Sequence, residues 1–172
     1  MSKQTLIITI IITICWSLFL CKAYSAPEIP TDKTASAAAK FIGEISKESP
    51  TFDEIPLREY EIKDVDHDGG YEVVEIINPI EENSPGFLNI DIAPAFEWIN
   101  IYRYQNNNFE MATGDFNWFL TLRKSYYQFW LRLFNNSEAL DSDSLNLLKS
   151  NRKLFEETIK GYIKKIEMLL NE

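Results

Sequence analysis

The stretch Asp64-Val65-Asp66-His67-Asp68-Gly69-Gly70-Tyr71-Glu72-Val73-Val74-Glu75 constrains this chain more than any other. Carboxylates at alternate positions of a tight turn can all point inward. A hard cation such as Ca²⁺ asks for that, taking about six to eight oxygens at roughly 2.3–2.6 Å. Asp64, Asp66 and Asp68 offer carboxylates, the backbone carbonyl of Gly70 offers the next oxygen, and Glu72 offers a further carboxylate. Gly69 permits the sharp turn because no Cβ resists a positive φ. The expected site is therefore a Ca²⁺ loop made of Asp64, Asp66, Asp68, Gly70 and Glu72. Calcium is favoured over magnesium, which prefers fewer protein ligands. A bare acidic β-turn is the alternative, since aspartate and glycine form turns without a metal. Three close carboxylates repel one another, however, and that argues for a cation.

The spacing also satisfies the EF-hand pattern D-x-D-x-D-G-x₅-E, with Glu75 in the last place. The flanks contradict it, because an EF-hand needs a helix on each side. Upstream, Pro56 to Lys63 begins with proline and then alternates. Downstream, Tyr71 to Ile77 is β-branched and aromatic, which favours a strand. On a strand, Glu75 lies three residues from Glu72 and faces the opposite side.

The run Asp64-x-Asp66-x-Asp68-Gly69-x-x-Glu72-Val73-Val74 resembles the calcium loop of FG-GAP/VCBS-type repeats. The later Ile101-Tyr102-Arg103-Tyr104-Gln105-Asn106-Asn107-Asn108-Phe109 is similar to the hairpin that often follows in that family. The Phe-Gly and Gly-Ala-Pro elements are absent, and Glu72 stands where an aspartate is more usual. A propeller needs about four blades or more. One copy excludes it, so the resemblance implies the loop's chemistry and not the whole architecture.

The N-terminus reads as a secretory signal over residues 1–25. Lys3 is a short basic start, Leu6 to Leu20 is apolar apart from Thr9, Thr13 and Ser17, and Ala23-Tyr24-Ser25 offers small residues at the cleavage positions. The apolar run is shorter than the about 20 residues that span a bilayer; an uncleaved anchor, or lipidation at Cys21, is the alternative. Both cysteines, Cys15 and Cys21, lie in this segment, so the mature chain from Ala26 has no thiol chemistry. Losing Lys3 and Lys22 moves the formal charge from −9 to −11. Nucleic acid and anionic membranes are poor partners for such a chain. A secreted or periplasmic setting suits the loop, since weak extracellular sites of about 10⁻⁴–10⁻³ M fill there.

The mature chain, 26–172, is expected to be a single α+β domain. Thr31 or Asp32 begins a helix that runs to about Lys47, and Ser49-Pro50 ends it. Strands are expected at about 58–63 and 71–77, with Asn78-Pro79 as a breaker and 81–86 as a loop. Phe87 to Ile92 alternates and reads as a third strand, and Phe96 to Tyr104 as a fourth. Gln105 to Asn108 is a turn, and Phe109-Glu110-Met111 returns. This is an antiparallel meander. Two helices follow and are expected to pack on it. The first, from about Asp115, has one apolar face of Phe116, Phe119, Leu120, Tyr127, Trp130, Leu131 and Phe134. A second face carries Trp118, Leu122, Tyr126, Phe129 and Leu133. A helix that apolar is either sandwiched or an interface. The last helix, about Asp143 to Leu170, is amphipathic.

Little here points to catalysis. His67 is the only histidine, so no Ser-His-Asp or Cys-His arrangement and no zinc cluster can form. Asp91 and Asp115 are loose candidates for a carboxylate pair, and both read as surface or cap residues. The expected product is an exported, non-enzymatic calcium-binding protein with a protein partner. The ion stabilises a β-hairpin. The alternative is a periplasmic inhibitor or immunity protein that neutralises a basic toxin or cell-wall hydrolase.

Overall fold

The computed structural model describes residues 32–84 and 91–171. The expected signal segment and residues 87–90 of the expected third strand lie outside the described residues. Helix α1 (Asp32–Ile45) runs into a 3₁₀ turn, Ser46–Glu48, and the chain extends at Ser49 ahead of Pro50. A small hairpin follows, β1 (Thr51–Phe52) paired with β2 (Ile55–Pro56). Its turn holds Asp53 at φ 48° and Glu54 at φ 68°. That conformation is usually signalled by Asn-Gly or Asp-Gly, which is why Asp-Glu gave no warning of it.

The main sheet is β3 (Arg58–Lys63), β4 (Glu72–Ile77), β5 (Trp98–Gln105) and β6 (Asn108–Met111), antiparallel and neighbouring in chain order. The acidic loop joins β3 to β4. Asn106 and Asn107, at φ 52° and 64°, make the tight turn between β5 and β6. Strand β4 pairs directly with β5, with Val74 opposite Ile101. Among the described residues no strand lies between them. The described end of the expected third strand, Asp91 and Ile92, is a turn leading into the 3₁₀ segment Ala93–Phe96. Nor are residues 81–83, the described start of the expected loop, irregular. Asn78 caps a short helix, α2 (Pro79–Asn83), its Oδ1 accepting the amides of Ile80 and Glu81 at 3.1 and 3.2 Å. Proline at the first helical position suits this start, because its missing amide would be unpaired anyway.

Side chains alternate between the two sheet faces. On one face, Val73 and Phe109 pack with Ala38 of α1, joined by Phe41, Ile42, Tyr102 and Tyr104. On the other, Val74 and Ile101 pack with Val65, Ala112 and Phe116. The sheet thus has α1 on one side and the approach to the C-terminal helices on the other.

Helices α3 (Asn117–Asn135) and α4 (Ser142–Leu169) run antiparallel. Lys124 near the start of α3 bridges Glu167 near the end of α4 at 2.7 Å, and Asn135 at the other end of α3 accepts from Arg152 at 2.6 Å. Leu120, Tyr127, Trp130 and Phe134 meet Leu148, Phe155, Ile159 and Ile166, and Phe96 and Trp98 close this core. Polar bonds tie the pair to the entry of β5. Tyr162 donates to the Phe96 carbonyl at 2.9 Å, and Arg123 to the Glu97 carbonyl at 2.6 Å. The α+β architecture read from the sequence, with two C-terminal helices packed on a meander, is the one observed. The second apolar face of α3 divides: Tyr126 and Leu133 are half-buried, while Trp118, Leu122 and Phe129 are 53%, 59% and 50% exposed.

Candidate metal centre

The loop between β3 and β4 turns through two left-handed residues, His67 at φ 61° and Gly69 at φ 88°. Its hydrogen bonds run from backbone to carboxylate. Gly69 N–H donates to Asp64 Oδ2 at 3.2 Å, and Asp68 N–H to Asp66 Oδ1 at 3.3 Å. Val65 N–H donates to Glu72 Oε2 at 3.0 Å. Side chains whose oxygens accept from nearby amides are held facing the inside of the turn. The outcome is that Asp64, Asp66 and Glu72 place one carboxylate oxygen each within 4.8 Å of the others.

Two features of this trio bear on a cation. Asp64 Oδ1 is buried from solvent, and among the described residues it has no hydrogen-bond partner. A buried acceptor left unpaired costs about 1–3 kcal/mol, so this oxygen has room for a hydrogen-bond donor or a cation. Glu72 is only 1% exposed. Burial pushes its carboxyl above the ordinary value and Asp66 adds to that, against the Val65 amide and Arg103, which pull it down. A divalent ion would strengthen the downward pull. All three donors are hard oxygens, which suits calcium.

The remaining expected ligands are placed differently. Asp68 stands outside the trio. Its Oδ1 accepts from Gly70 N–H at 2.6 Å, a local bond two residues on. Gly70 follows directly, and a Cβ there would meet Asp68 Oδ1 at 2.9 Å. His67 is exposed. Gly69→Ala is expected to cost about 1–2 kcal/mol, the penalty for a left-handed residue with a Cβ. No atom lies within 4 Å of the Cβ it would carry, so the loss is purely conformational. Chemical denaturation with an unchanged m-value checks this.

Arg103 is outside the loop pattern and is expected from the sequence only as part of a hairpin. It projects from β5 beside Glu72, with Tyr102 pairing Val73 in the adjacent register. Its guanidinium reaches Asp66 Oδ2 at 2.7 Å, Glu72 Oε1 at 3.4 Å and Asp115 Oδ2 at 3.7 Å. It also lies 4.6 Å from the centre of the Phe116 ring. Asp115, a loose candidate in the sequence, thus joins the rim of this cluster. Asp91 is exposed in its turn, away from it.

Glu75 belongs to a separate centre on the other sheet face, as strand alternation requires. It is 2% exposed. Its Oε1 pairs with Arg58 at 3.1 Å, and its Oε2 accepts from Asn100 at 2.9 Å and Tyr102 at 2.8 Å. Burial and the bond to Glu75 push the Tyr102 phenol above its ordinary value. These groups line an open cleft of about 420 Å³ that also carries Glu44 and Glu48. Glu75 is an internal counter-ion and no part of the loop trio.

Comparison with protein-family models, with curated proteins and with solved structures finds no match.

Proposed function

We propose that the chain is an exported, non-enzymatic binding protein in which one Ca²⁺, held by Asp64, Asp66 and Glu72, stabilises the β3–β4 hairpin. The observation that carries this reading is the buried, unpartnered Asp64 Oδ1 within a trio of hard oxygens. Asp68 and the Gly70 carbonyl are the further donors on the same turn. The chain's own residues do the structural part. Asp64 and Glu72 stand at the two ends of the loop, so an ion between them fastens β3 to β4. The ion would bind the folded loop and not the unfolded chain, so its binding energy adds to folding.

The partner in this reading is a protein. Trp118, Leu122 and Phe129 recur on one exposed side of α3, and exposed aromatics anchor interfaces. The narrower alternative is an inhibitor or immunity protein for a basic toxin or cell-wall hydrolase. Glu59 and Glu61, exposed on edge strand β3, favour it. A pull-down with a basic effector separates it from a general binding module.

Calcium titration tests the main reading. Calorimetry is expected to give one-to-one binding, and millimolar Ca²⁺ to raise the melting temperature over chelator. At about a hundredfold excess over Kd the stabilisation is about 2.7 kcal/mol, or about 5–10 °C for a chain of this size. No shift would leave the aspartates as a bare turn.

A further inference from the structure

We propose that Arg103 is a built-in counter-cation that opposes calcium at the loop and couples the ion to the start of α3; this rests on the calcium reading above. The guanidinium pairs with two of the three trio carboxylates, Asp66 at 2.7 Å and Glu72 at 3.4 Å. It therefore shares its counter-charges with the ion. Two cations a few ångströms apart repel, and the repulsion is strong where one of the carboxylates is buried. Glu72 is that buried carboxylate.

Arg103 has somewhere to go. Its third nitrogen already reaches Asp115 at 3.7 Å, and its plane lies over Phe116. Both residues immediately precede α3, and Phe116 is the residue on which that helix starts. An ion that weakens the hold of Asp66 and Glu72 leaves the guanidinium leaning more on Asp115 and Phe116. Loop and helix start are then linked through one side chain with two sets of partners. Coupling of this kind is reciprocal: whatever tightens Arg103 on Asp66 and Glu72 must weaken calcium by the same factor.

Cluster charge supports an opposing cation that does not block the site. The cluster holds four carboxylates, Asp64, Asp66, Glu72 and Asp115, against one guanidinium, which contacts the last three. The group remains strongly negative with Arg103 in place. Asp64 also has no ion pair with it, so the unpartnered oxygen is not the one Arg103 satisfies.

The test is calorimetric titration of the protein with CaCl₂, comparing wild type, Arg103→Met and Arg103→Lys. Methionine keeps an apolar stem over Phe116 and removes the charge; lysine keeps the charge and loses the fork. Arg103→Met is expected to bind Ca²⁺ about tenfold tighter, within the roughly 5–150-fold span of coupled sites. Arg103→Lys is expected to stay near wild type. In ¹⁵N spectra of wild type, the Arg103 Nε–H resonance is expected to move as calcium binds. A wild type that binds, with Arg103→Met equal or weaker, overturns the coupling and leaves the calcium reading standing. Binding by neither overturns both. Should Arg103→Met fail to fold, Asp115→Asn at its exposed position serves instead. It removes the outer anchor, so calcium is expected to bind more weakly, and unchanged affinity overturns the proposal.

Discussion

Asp64→Asn is expected to abolish the calcium-dependent rise in melting temperature and to leave the melt in chelator at its wild-type value. Asparagine retains an oxygen for the Gly69 amide, which Asp64 Oδ2 accepts at 3.2 Å. What it loses is the charge, and with it the unpartnered oxygen that faces Asp66 and Glu72. In calcium the whole ligand term of about 2.7 kcal/mol at hundredfold saturation is at stake. In chelator, relief of carboxylate repulsion offsets whatever the substitution costs. Paired melts in chelator and millimolar Ca²⁺ read both values. A retained calcium shift, or equal losses under the two conditions, would remove Asp64 from the site.

Glu75→Ala carries the opposite signature: a loss of about 3–5 kcal/mol, as for one half of a buried ion pair, and the same loss with or without calcium. The carboxylate holds Arg58, Asn100 and Tyr102 together from inside the sheet. Removing it leaves a cation and two polar groups to find new partners, at the wall of the cleft they line. Arg58 retains Glu82 at 2.6 Å, which keeps the loss from growing further. Urea denaturation in both buffers measures it. A loss confined to calcium buffer would make Glu75 a metal ligand after all and revive the EF-hand spacing.

These two residues show how far the sequence reached. The alternation Asp64, Asp66, Asp68 was visible, and so was the strand that begins at Glu72. Strand alternation alone separated Glu75 from the loop. The displacement of Asp68 was hidden because the competing donor is local: Gly70 N–H, two residues on, captures its Oδ1. Arg103 was hidden for the opposite reason. It lies on another strand, and only the β4–β5 register brings it beside Glu72. An arginine opposite a glutamate on one face is a legible cross-strand pair once the register is known. Helix α2 carries a readable signal that serves two purposes: Asn78-Pro79 ends a strand, and it is also a cap followed by a favoured first residue. On α3 the two apolar faces were evident, yet which of them finds a partner depends on α4, Phe96 and Trp98.

Asn78 does more than start α2. While its oxygen caps the helix, its amide donates to the Ala93 carbonyl at 2.8 Å. One buried side chain thus clips together the two ends of the excursion that separates β4 from β5. The clip decouples the length of that excursion from the register of the sheet. The Ala93 end is fixed as well by Ile92 and Ala95, both fully buried in the helical core, and Val74 stays opposite Ile101. The pairing that sets Glu72 beside Arg103 is thereby anchored from outside the acidic loop, at the far end of β4.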